Sequence, residues 1–312
     1  MAEACPRVLV TKLSEQKMLE FRSRHQLPQA FQLIAEEYYS PLARKLPELR
    51  PETGPLFLGI NGAQGTGKST LADFLRLAST SMFDWNVAVL SLDDFYYTRE
   101  ERTARAKDVH PLLMTRGVPG THDTVMLAQC LSELRRVRRH EEVSLPRFDK
   151  AIDDRACDSR WPVVSGPVDL VILEGWCVGS QSQTEADLRE AINELERGED
   201  RDGAWRRYAN EQLRTHYAEI FDQLDMLVFL KAPSFDAILR WRLRQELRLA
   251  EKSHVDSAGV MNKDDITRFV QFYERLTRVN LGTLPGKADV VFHLDESHNV
   301  ASLSLNNSLE LE

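Results

Sequence analysis

The sequence lacks the features that mark membrane-spanning, secreted and nucleic-acid-binding proteins. Its longest uninterrupted apolar run, Met226–Leu230, is far shorter than the roughly 20 residues that cross a bilayer. No basic segment followed by an apolar one opens the chain, so we expect no signal peptide. Acidic residues outnumber basic ones by 48 to 40, which gives a net charge of −8 and little long-range attraction for DNA or anionic lipid. We therefore expect no nucleic-acid partner and no membrane.

Cysteine is scarce as well. The four cysteines, at positions 5, 130, 157 and 177, form no C-x-x-C pair, so neither a zinc site nor a disulfide framework is predicted. This usage is typical of thiols in a reducing compartment, and we expect a cytoplasmic protein. With 312 residues, of which 42% are hydrophobic, the chain can bury a large core without such staples.

Short apolar runs alternate with helix-like stretches along the chain. Residues 1–53 are predicted to be a helical extension and residues 54–312 the main domain. Within the main domain, two insertions at 97–165 and 178–222 are expected to form the substrate region, since α/β folds build their sites beyond the strand ends. The strand-length runs are apolar on successive positions, which is typical of a buried parallel sheet and predicts an α/β layered fold; they are Leu56–Asn61, Val87–Ser91, Val168–Leu173, Met226–Leu230 and Asp289–Leu294.

A phosphate-binding loop follows the first of these runs. The segment GAQGTGKS at 62–69 fits G-x-x-x-x-G-K-[ST] and lies between a predicted strand and a predicted helix, which is the context that the motif requires. Lys68 is expected to bridge the β- and γ-phosphates of ATP, and Ser69 to offer its hydroxyl to Mg²⁺. The predicted nucleotide-binding residues are Gly62, Ala63, Gln64, Gly65, Thr66, Gly67, Lys68, Ser69 and Thr70.

Acidic residues follow the second and third predicted strands. Asp93 and Asp94 come after Val87–Ser91, and Glu174 directly follows Val168–Leu173. Because parallel strands end at one edge of a sheet, these side chains should lie near the phosphate loop. Asp93 can accept the proton of an attacking hydroxyl, although either aspartate is equally suited to capping a turn. Glu174 is predicted to hold Mg²⁺ or its water shell.

Several motifs occur in the order and spacing of one kinase superfamily. The phosphate loop, SLDDFYY, LPRFDKAIDDR and LEGW together resemble the uridine kinase, phosphoribulokinase and pantothenate kinase superfamily. HPLLMTRGVPGTHD at 110–123, LEGWCVG at 173–179 and WRLRQE at 241–246 most resemble its D-glycerate 3-kinase branch. The resemblance covers residues 56–295 and implies a P-loop fold, with a five-stranded parallel sheet flanked by helices, that transfers phosphate from ATP to a small alcohol.

The resemblance also implies roles for single residues. It matches Asp93 to the general base and Glu174 to the acidic residue near Mg²⁺. A small anionic substrate also needs a cation, which Arg116, Arg155 or His122 can supply, although a single histidine is more often structural. The full set of predicted substrate-binding residues is Asp94, Tyr96, Arg116, His122, Asp123, Asp149 and Arg155.

An arginine-rich amphipathic helix is predicted at 236–251. Leucines at i, i+4 and i+8 form its buried stripe, and Arg240, Arg244 and Arg248 repeat at the same spacing on another face. In the resembled superfamily this position is the lid, expected here at about 236–275, whose arginines close over the ATP phosphates. Catalytic roles are therefore predicted for Arg240 and Arg244, with Arg242 as a secondary candidate; the alternative is a solvated basic face.

The acceptor alcohol stays open at this stage. We expect D-glycerate, converted to 3-phosphoglycerate. A nucleoside or pantothenate-like kinase is the alternative, because Phe95, Tyr96 and Phe148 offer rings on which a base could stack. A third possibility is an ATP-binding regulatory or assembly protein without a small substrate, which would not need Asp93, Glu174 and the Arg116–Asp123 segment together.

Overall fold

A mostly parallel sheet forms the centre of the protein. The computed structural model describes residues 13–252, 263–306 and 309–311. The strands in chain order are β1 (Leu56–Gly62), β2 (Val87–Ser91), β3 (Glu142–Ser144), β4 (Phe148–Asp149), β5 (Asp154–Arg155), β6 (Val163–Ser165), β7 (Leu170–Gly175), β8 (Met226–Lys231), β9 (Val290–Leu294) and β10 (Val300–Leu305). The helices are α1 (Glu15–Arg24), α2 (Phe31–Ile34), α3 (Ser40–Leu49), α4 (Lys68–Phe83), α5 (Arg99–Asp108), α6 (Thr124–Arg136), α7 (Glu194–Glu199), α8 (Ala204–Gln212), α9 (Ala218–Phe221), α10 (Phe235–Lys252) and α11 (Lys263–Thr283).

The strand order of the main sheet is β10-β9-β8-β1-β7-β2. Its five parallel strands correspond to the five predicted runs, and the predicted fold class is confirmed. The expectation of a five-stranded sheet omitted β10, which pairs antiparallel with β9. This edge strand is mostly exposed beyond Val300, so it lacks the continuous apolar run by which buried strands are found. The Asp295 carboxylate accepts hydrogen bonds from the backbone N–H groups of Ser297 and Asn299, which stabilises the turn into it.

The N-terminal helices pack on one face of the sheet. Phe21 contacts Phe74 of α4 at a ring-centroid distance of 5.7 Å, and Tyr39 contacts Phe292 of β9 at 5.4 Å. Both pairs belong to the same hydrophobic core as β1 and β8. Pro47 lies inside α3. Residues 15–49 therefore help to cover the sheet whose carboxyl edge carries the candidate site.

The two insertions cover the opposite face. The first contains α5, α6 and the antiparallel pairs β3–β6 and β4–β5, and the second contains α7, α8 and α9. The Trp176 indole N–H, at the end of β7, donates a hydrogen bond of 2.8 Å to the Gly117 carbonyl, which fixes the first insertion to the sheet edge. Among the described residues, we find no helix that has both the length and the apolar character to span a membrane.

Candidate active site

A cavity of about 630 Å³ lies at the carboxyl edge of the sheet. We call it the phosphate-loop cavity. It is bounded by the β1–α4 loop, the end of β7, the turn after β2 and the β4–β5 hairpin, with α10 and α11 opposite. Of the residues that the sequence predicted, it brings together Gln64, Gly65, Lys68, Ser69, Asp93, Asp94, Tyr96, Arg116 and Glu174.

The β1–α4 loop has the geometry of an anion cradle. Gly65 and Gly67 have φ values of +82° and +91°, a region of backbone space that glycine enters without steric cost. The Thr66 hydroxyl donates to the Ala63 carbonyl at 2.8 Å, and the Lys68 ammonium donates to the same carbonyl at 3.1 Å. Helix α4 begins at Lys68, so its first N–H groups have no carbonyl partner within the helix. The loop and the helix end are therefore suited to bind a polyphosphate.

Strand β7 places a carboxylate beside the loop. Because β7 lies between β1 and β2, its Glu174 is in register with Ile60 and Ser91. The Ser69 hydroxyl donates to Glu174 Oε1 at 2.8 Å, and Glu174 is only 7% exposed. Mg²⁺ takes oxygen ligands, so this pair fits the ion that the motif predicts.

The donor set of the protein is small for a metal site. Among the residues that the structure describes, no group of three or more His, Cys, Asp or Glu side chains is placed to hold a metal ion. Mg²⁺ that is carried by nucleotide phosphates needs only one or two oxygens from the protein. The Ser69–Glu174 pair supplies that number.

Asp93 occupies the short 3₁₀ turn Leu92–Phe95 after β2. Its Oδ1 accepts a hydrogen bond from the Tyr96 hydroxyl at 2.9 Å, and its Oδ2 lies 2.5 Å from the Lys150 ammonium. Burial raises the pKa of Asp93, but Lys150, His122 and Tyr96 together outweigh that effect and leave the pKa below its usual value. The carboxylate is therefore ionised at neutral pH and can accept a proton.

The neighbouring Asp94 holds the β4–β5 hairpin. It accepts hydrogen bonds of 3.2 Å from the Arg147 guanidinium and from the backbone N–H of Phe148. Burial raises the pKa of Asp94, and Arg147 opposes that rise. Although Asp94 lines the cavity, its hydrogen bonds position the hairpin that carries Lys150.

Arg116 lies in the cavity wall and forms an ion pair with Asp153. Its guanidinium also sits over the Phe148 ring, 5.6 Å from the centroid. Asp153 receives a second ion pair, of 2.9 Å, from Arg102. Arg102 is 1% exposed and also donates to the carbonyls of Tyr97, Met114 and Asp153. Sequence reasoning missed this buried arginine, which joins α5 to the hairpin.

His122 lies behind the cavity wall rather than in it. Its ring is 1% exposed and stacks on Tyr96 at a centroid distance of 4.4 Å. The Tyr217 hydroxyl accepts the Gly120 N–H at 3.1 Å and forms a hydrogen bond of 2.6 Å with His122 Nδ1. Burial lowers the pKa of His122 to about 4, with Asp93 opposing the shift, so the ring is neutral at pH 7.

Three other predicted substrate residues also lie outside the cavity wall. Asp123 caps α6 by accepting the Met126 N–H at 2.9 Å. Arg155 donates to the Tyr96 carbonyl at 3.2 Å and to Asp123 at 3.4 Å. Asp149 pairs with Arg160 at 3.0 Å. A direct role for any of the three in substrate binding stays a prediction.

The arginines of α10 face two different places. Arg242 lines the phosphate-loop cavity, with its guanidinium 5.8 Å from the Phe269 ring centroid. Arg240 pairs with Glu296, and Arg244 donates to the Glu296 carbonyl at 3.5 Å. The structure thus places Arg242, the secondary candidate, in the cavity wall, and neither Arg240 nor Arg244. Of the predicted lid, residues 253–262 lie outside the described residues, as does the side chain of Arg248.

The cavity wall also contains side chains that sequence reasoning missed. Lys150 directly follows Asp149 in the LPRFDKAIDDR motif, so the motif itself carried that signal. Phe269 and Tyr273 are spaced i, i+4 on α11, a pattern that any buried helix face shows. Trp176 meets Tyr273 edge-to-face at 4.9 Å. Only the packing of α11 against the end of β7 brings these aromatic rings to the site.

Comparisons with known proteins agree with this geometry. No family model matches the chain. The uncharacterized kinase mug58 of Schizosaccharomyces pombe is 35% identical over 251 residues, which cover 78% of this chain and 87% of that protein. The chloroplastic D-glycerate 3-kinase of Arabidopsis thaliana is 28% identical over 265 residues, which cover 78% of this chain and 54% of that protein.

A solved structure shows the same architecture. D-glycerate 3-kinase from Cryptococcus neoformans var. grubii superposes with a TM-score of 0.69 at 25% identity, over 89% of this chain and 100% of that one. The shared fold therefore covers most of this chain. The mug58 match, together with the phosphate loop, shows that the chain belongs to a family of kinases within the P-loop superfamily of uridine and pantothenate kinases.

Proposed function

We propose that the protein is an ATP- and Mg²⁺-dependent kinase that phosphorylates D-glycerate to 3-phosphoglycerate. The observation that carries the proposal is the content of the phosphate-loop cavity. It combines a phosphate cradle, an oxygen pair suited to Mg²⁺ and the ionised Asp93 with two cations, Lys150 and Arg116, on the acceptor side. Two of the similar proteins described above are named D-glycerate 3-kinases, which supports this choice of acceptor.

Each group of residues has a defined task in this proposal. The loop residues Gly62–Thr70 bind the phosphates, and Lys68 bridges the β- and γ-groups. When bound to Ser69 and Glu174, Mg²⁺ would neutralise charge on the transferring phosphate. Asp93 accepts the proton of the acceptor hydroxyl while the Tyr96 hydroxyl holds the carboxylate in place. Water exclusion comes from Trp176, Phe269 and Tyr273 in the cavity wall.

Arginines bind the remaining charges in this proposal. Arg116 lies where it can contact the acceptor carboxylate, and Arg242 lies where it can contact the phosphates. Arg240 and Arg244 reach the phosphates only if their contacts with Glu296 are exchanged. His122, Asp123 and Arg155 support Tyr96 from behind.

Aromatic packing favours a small acid over a nucleoside as acceptor. Phe95 is fully buried in the core, and Tyr96 already stacks on His122. The Phe148 ring is 8% exposed, with the guanidinium groups of Arg102 and Arg116 within 6 Å of its centroid. The rings that the sequence offered for base stacking are thus engaged by protein side chains.

The test is a coupled assay of ADP release with Mg-ATP and one acceptor at a time. D-Glycerate, uridine, cytidine and pantothenate are compared at equal concentration, with the Asp93→Asn variant as the control for ATP hydrolysis without transfer. We expect D-glycerate to stimulate ADP release most strongly, and only with an intact Asp93. Stimulation by uridine or pantothenate instead would identify the alternative kinase. No stimulation by any acceptor would favour an ATP-binding regulatory protein.

A further inference from the structure

The two hydrogen-bond donors to Asp93 differ sharply in how firmly they are held. The Tyr96 ring is 2% exposed and is stacked on His122 with an interplanar angle of 21°. Lys150, by contrast, lies in the turn between β4 and β5, and its side chain is 58% exposed. Tyr96 can leave Asp93 only by unpacking the core, whereas Lys150 can leave by rotation of an exposed side chain.

An acceptor hydroxyl must reach the carboxylate that these two donors occupy. Tyr96 binds Oδ1 and Lys150 binds Oδ2. An ion pair between side chains that are 30% and 58% exposed contributes at most about 1 kcal/mol. Of the two donors, the Lys150 ammonium is the one that an acceptor hydroxyl can displace at low cost, because displacing Tyr96 would disrupt the Tyr96–His122 stack.

The displaced ammonium loses its carboxylate partner, and a new anion beside it would restore an ion pair. Nearby carboxylates are engaged: Asp94 binds Arg147, and Asp153 binds both Arg102 and Arg116. A hydroxy acid brings a hydroxyl for Asp93 and a carboxylate for Lys150 in one molecule. A neutral alcohol would release Lys150 without supplying a partner, which disfavours its binding.

The surroundings of Lys150 leave room for this movement. Lys150 lines the phosphate-loop cavity and also an open groove of about 530 Å³, which Arg147, Asp149 and Arg160 also line. The ammonium can therefore swing away from Asp93 without meeting packed side chains.

We propose that Lys150 is a specificity-determining residue that pairs with Asp93 in the absence of acceptor and with the acid group of the acceptor when it binds. The inference rests on the proposed function and extends it: the preference for a hydroxy acid over a neutral alcohol comes from this exchange of partners. Arg116 adds a second cation. Its ion pair with Asp153 stays in place when the acceptor binds, because Arg102 also holds Asp153.

The test compares Lys150→Met with Lys150→Arg, and uses Lys17→Met as a matched control. Lys17 is an exposed lysine on α1 that contacts Ser81, on the far end of α4 from the phosphate loop. The KM and kcat are measured for D-glycerate and for D-glyceramide, its uncharged carboxamide, at saturating ATP. We expect Lys150→Met to raise the KM for D-glycerate by up to about fivefold, as for loss of a partly exposed ion pair. The KM for ATP should change by no more than about twofold, whereas the KM for D-glyceramide should stay the same or fall, because its hydroxyl no longer displaces an ammonium from Asp93.

Further results separate the possible outcomes. Lys150→Arg should keep most of the preference for the acid, and Lys17→Met all of it. An equal loss with acid and amide in Lys150→Met would overturn the inference, because Lys150 would then act only on Asp93 or on the hairpin. A wild-type enzyme that does not phosphorylate D-glycerate overturns the proposed function and the inference together. Turnover of D-glycerate by the wild type, with an unchanged acid preference in Lys150→Met, overturns the inference alone.

Discussion

Replacing Asp93 by asparagine separates the proposed base from the proposed metal ligand. Asparagine keeps the shape of the side chain and can still accept the Tyr96 hydrogen bond, but it cannot take a proton. The lost ion pair with Lys150 is partly exposed and contributes less than about 1 kcal/mol to stability, so the variant should remain folded. We expect kcat to fall by roughly 10²–10⁴. The KM for ATP should stay near normal, because the hydrogen-bond partners of Asp93 lie outside the phosphate loop.

Glu174→Gln should fail in a different way. Glu174 is 7% exposed and binds the Ser69 hydroxyl at 2.8 Å, at the position proposed for Mg²⁺. Loss of its charge should raise the Mg²⁺ concentration needed for half-maximal activity by about tenfold or more, the equivalent of one charged contact. Excess Mg²⁺ should restore much of the activity.

The assay measures kcat by coupled ADP release across a range of Mg²⁺ concentrations at fixed ATP. The exposed Asp222→Asn serves as the matched control and should behave as wild type. Thermal unfolding of each variant shows whether a loss of activity reflects loss of the fold. Rescue of Asp93→Asn by added Mg²⁺, without rescue of Glu174→Gln, would reverse the two roles and refute the reasoning.

Other residues give further predictions. Lys68→Ala should abolish phosphoryl transfer and weaken ATP binding, because the Lys68 ammonium lies in the phosphate loop. ADP release and nucleotide titration measure the two effects, and unchanged turnover would contradict the kinase assignment. Arg116→Gln should raise the KM for D-glycerate roughly ten- to a hundredfold without changing that for ATP. Arg155→Gln, a change outside the cavity wall, should instead lower the free energy of unfolding by about 1–3 kcal/mol, measured in urea. The folded-state pKa of His122 is about 4, below the unfolded value, so the unfolded chain binds its proton more readily as pH falls from 6.5 towards 4. Because of His122, the free energy of unfolding should therefore fall by about 2 kcal/mol between pH 7 and pH 5. Measured by urea unfolding, the free energy of unfolding of His122→Gln should depend less steeply on pH. The same dependence in both proteins would mean that His122 is not a buried neutral ring.

The fold and the phosphate end of the site could be predicted from the sequence for local reasons. A parallel strand buried on both faces must be apolar at successive positions, and this is why β1, β2, β7, β8 and β9 were found and β10 was not. The loop at 62–69 was found because its backbone requires glycine at defined positions. Asp93 and Glu174 came to one edge because the strands that precede them are parallel neighbours of the same sheet.

Only the tertiary structure decided how the acceptor side of the site is arranged. Lys150 lies 57 positions from Asp93 in the chain, and the hydrogen bonds of Asp94 to the hairpin bring the two together. Helical spacing favoured Arg240 and Arg244, yet the docking of α10 turns Arg242 to the cavity and leaves the other two on Glu296. His122 and Tyr96 stack in the core, although the same residue types would suit an exposed contact. Sequence alone determines what depends on backbone conformation and strand order; which charged side chain meets which partner depends on how distant elements pack.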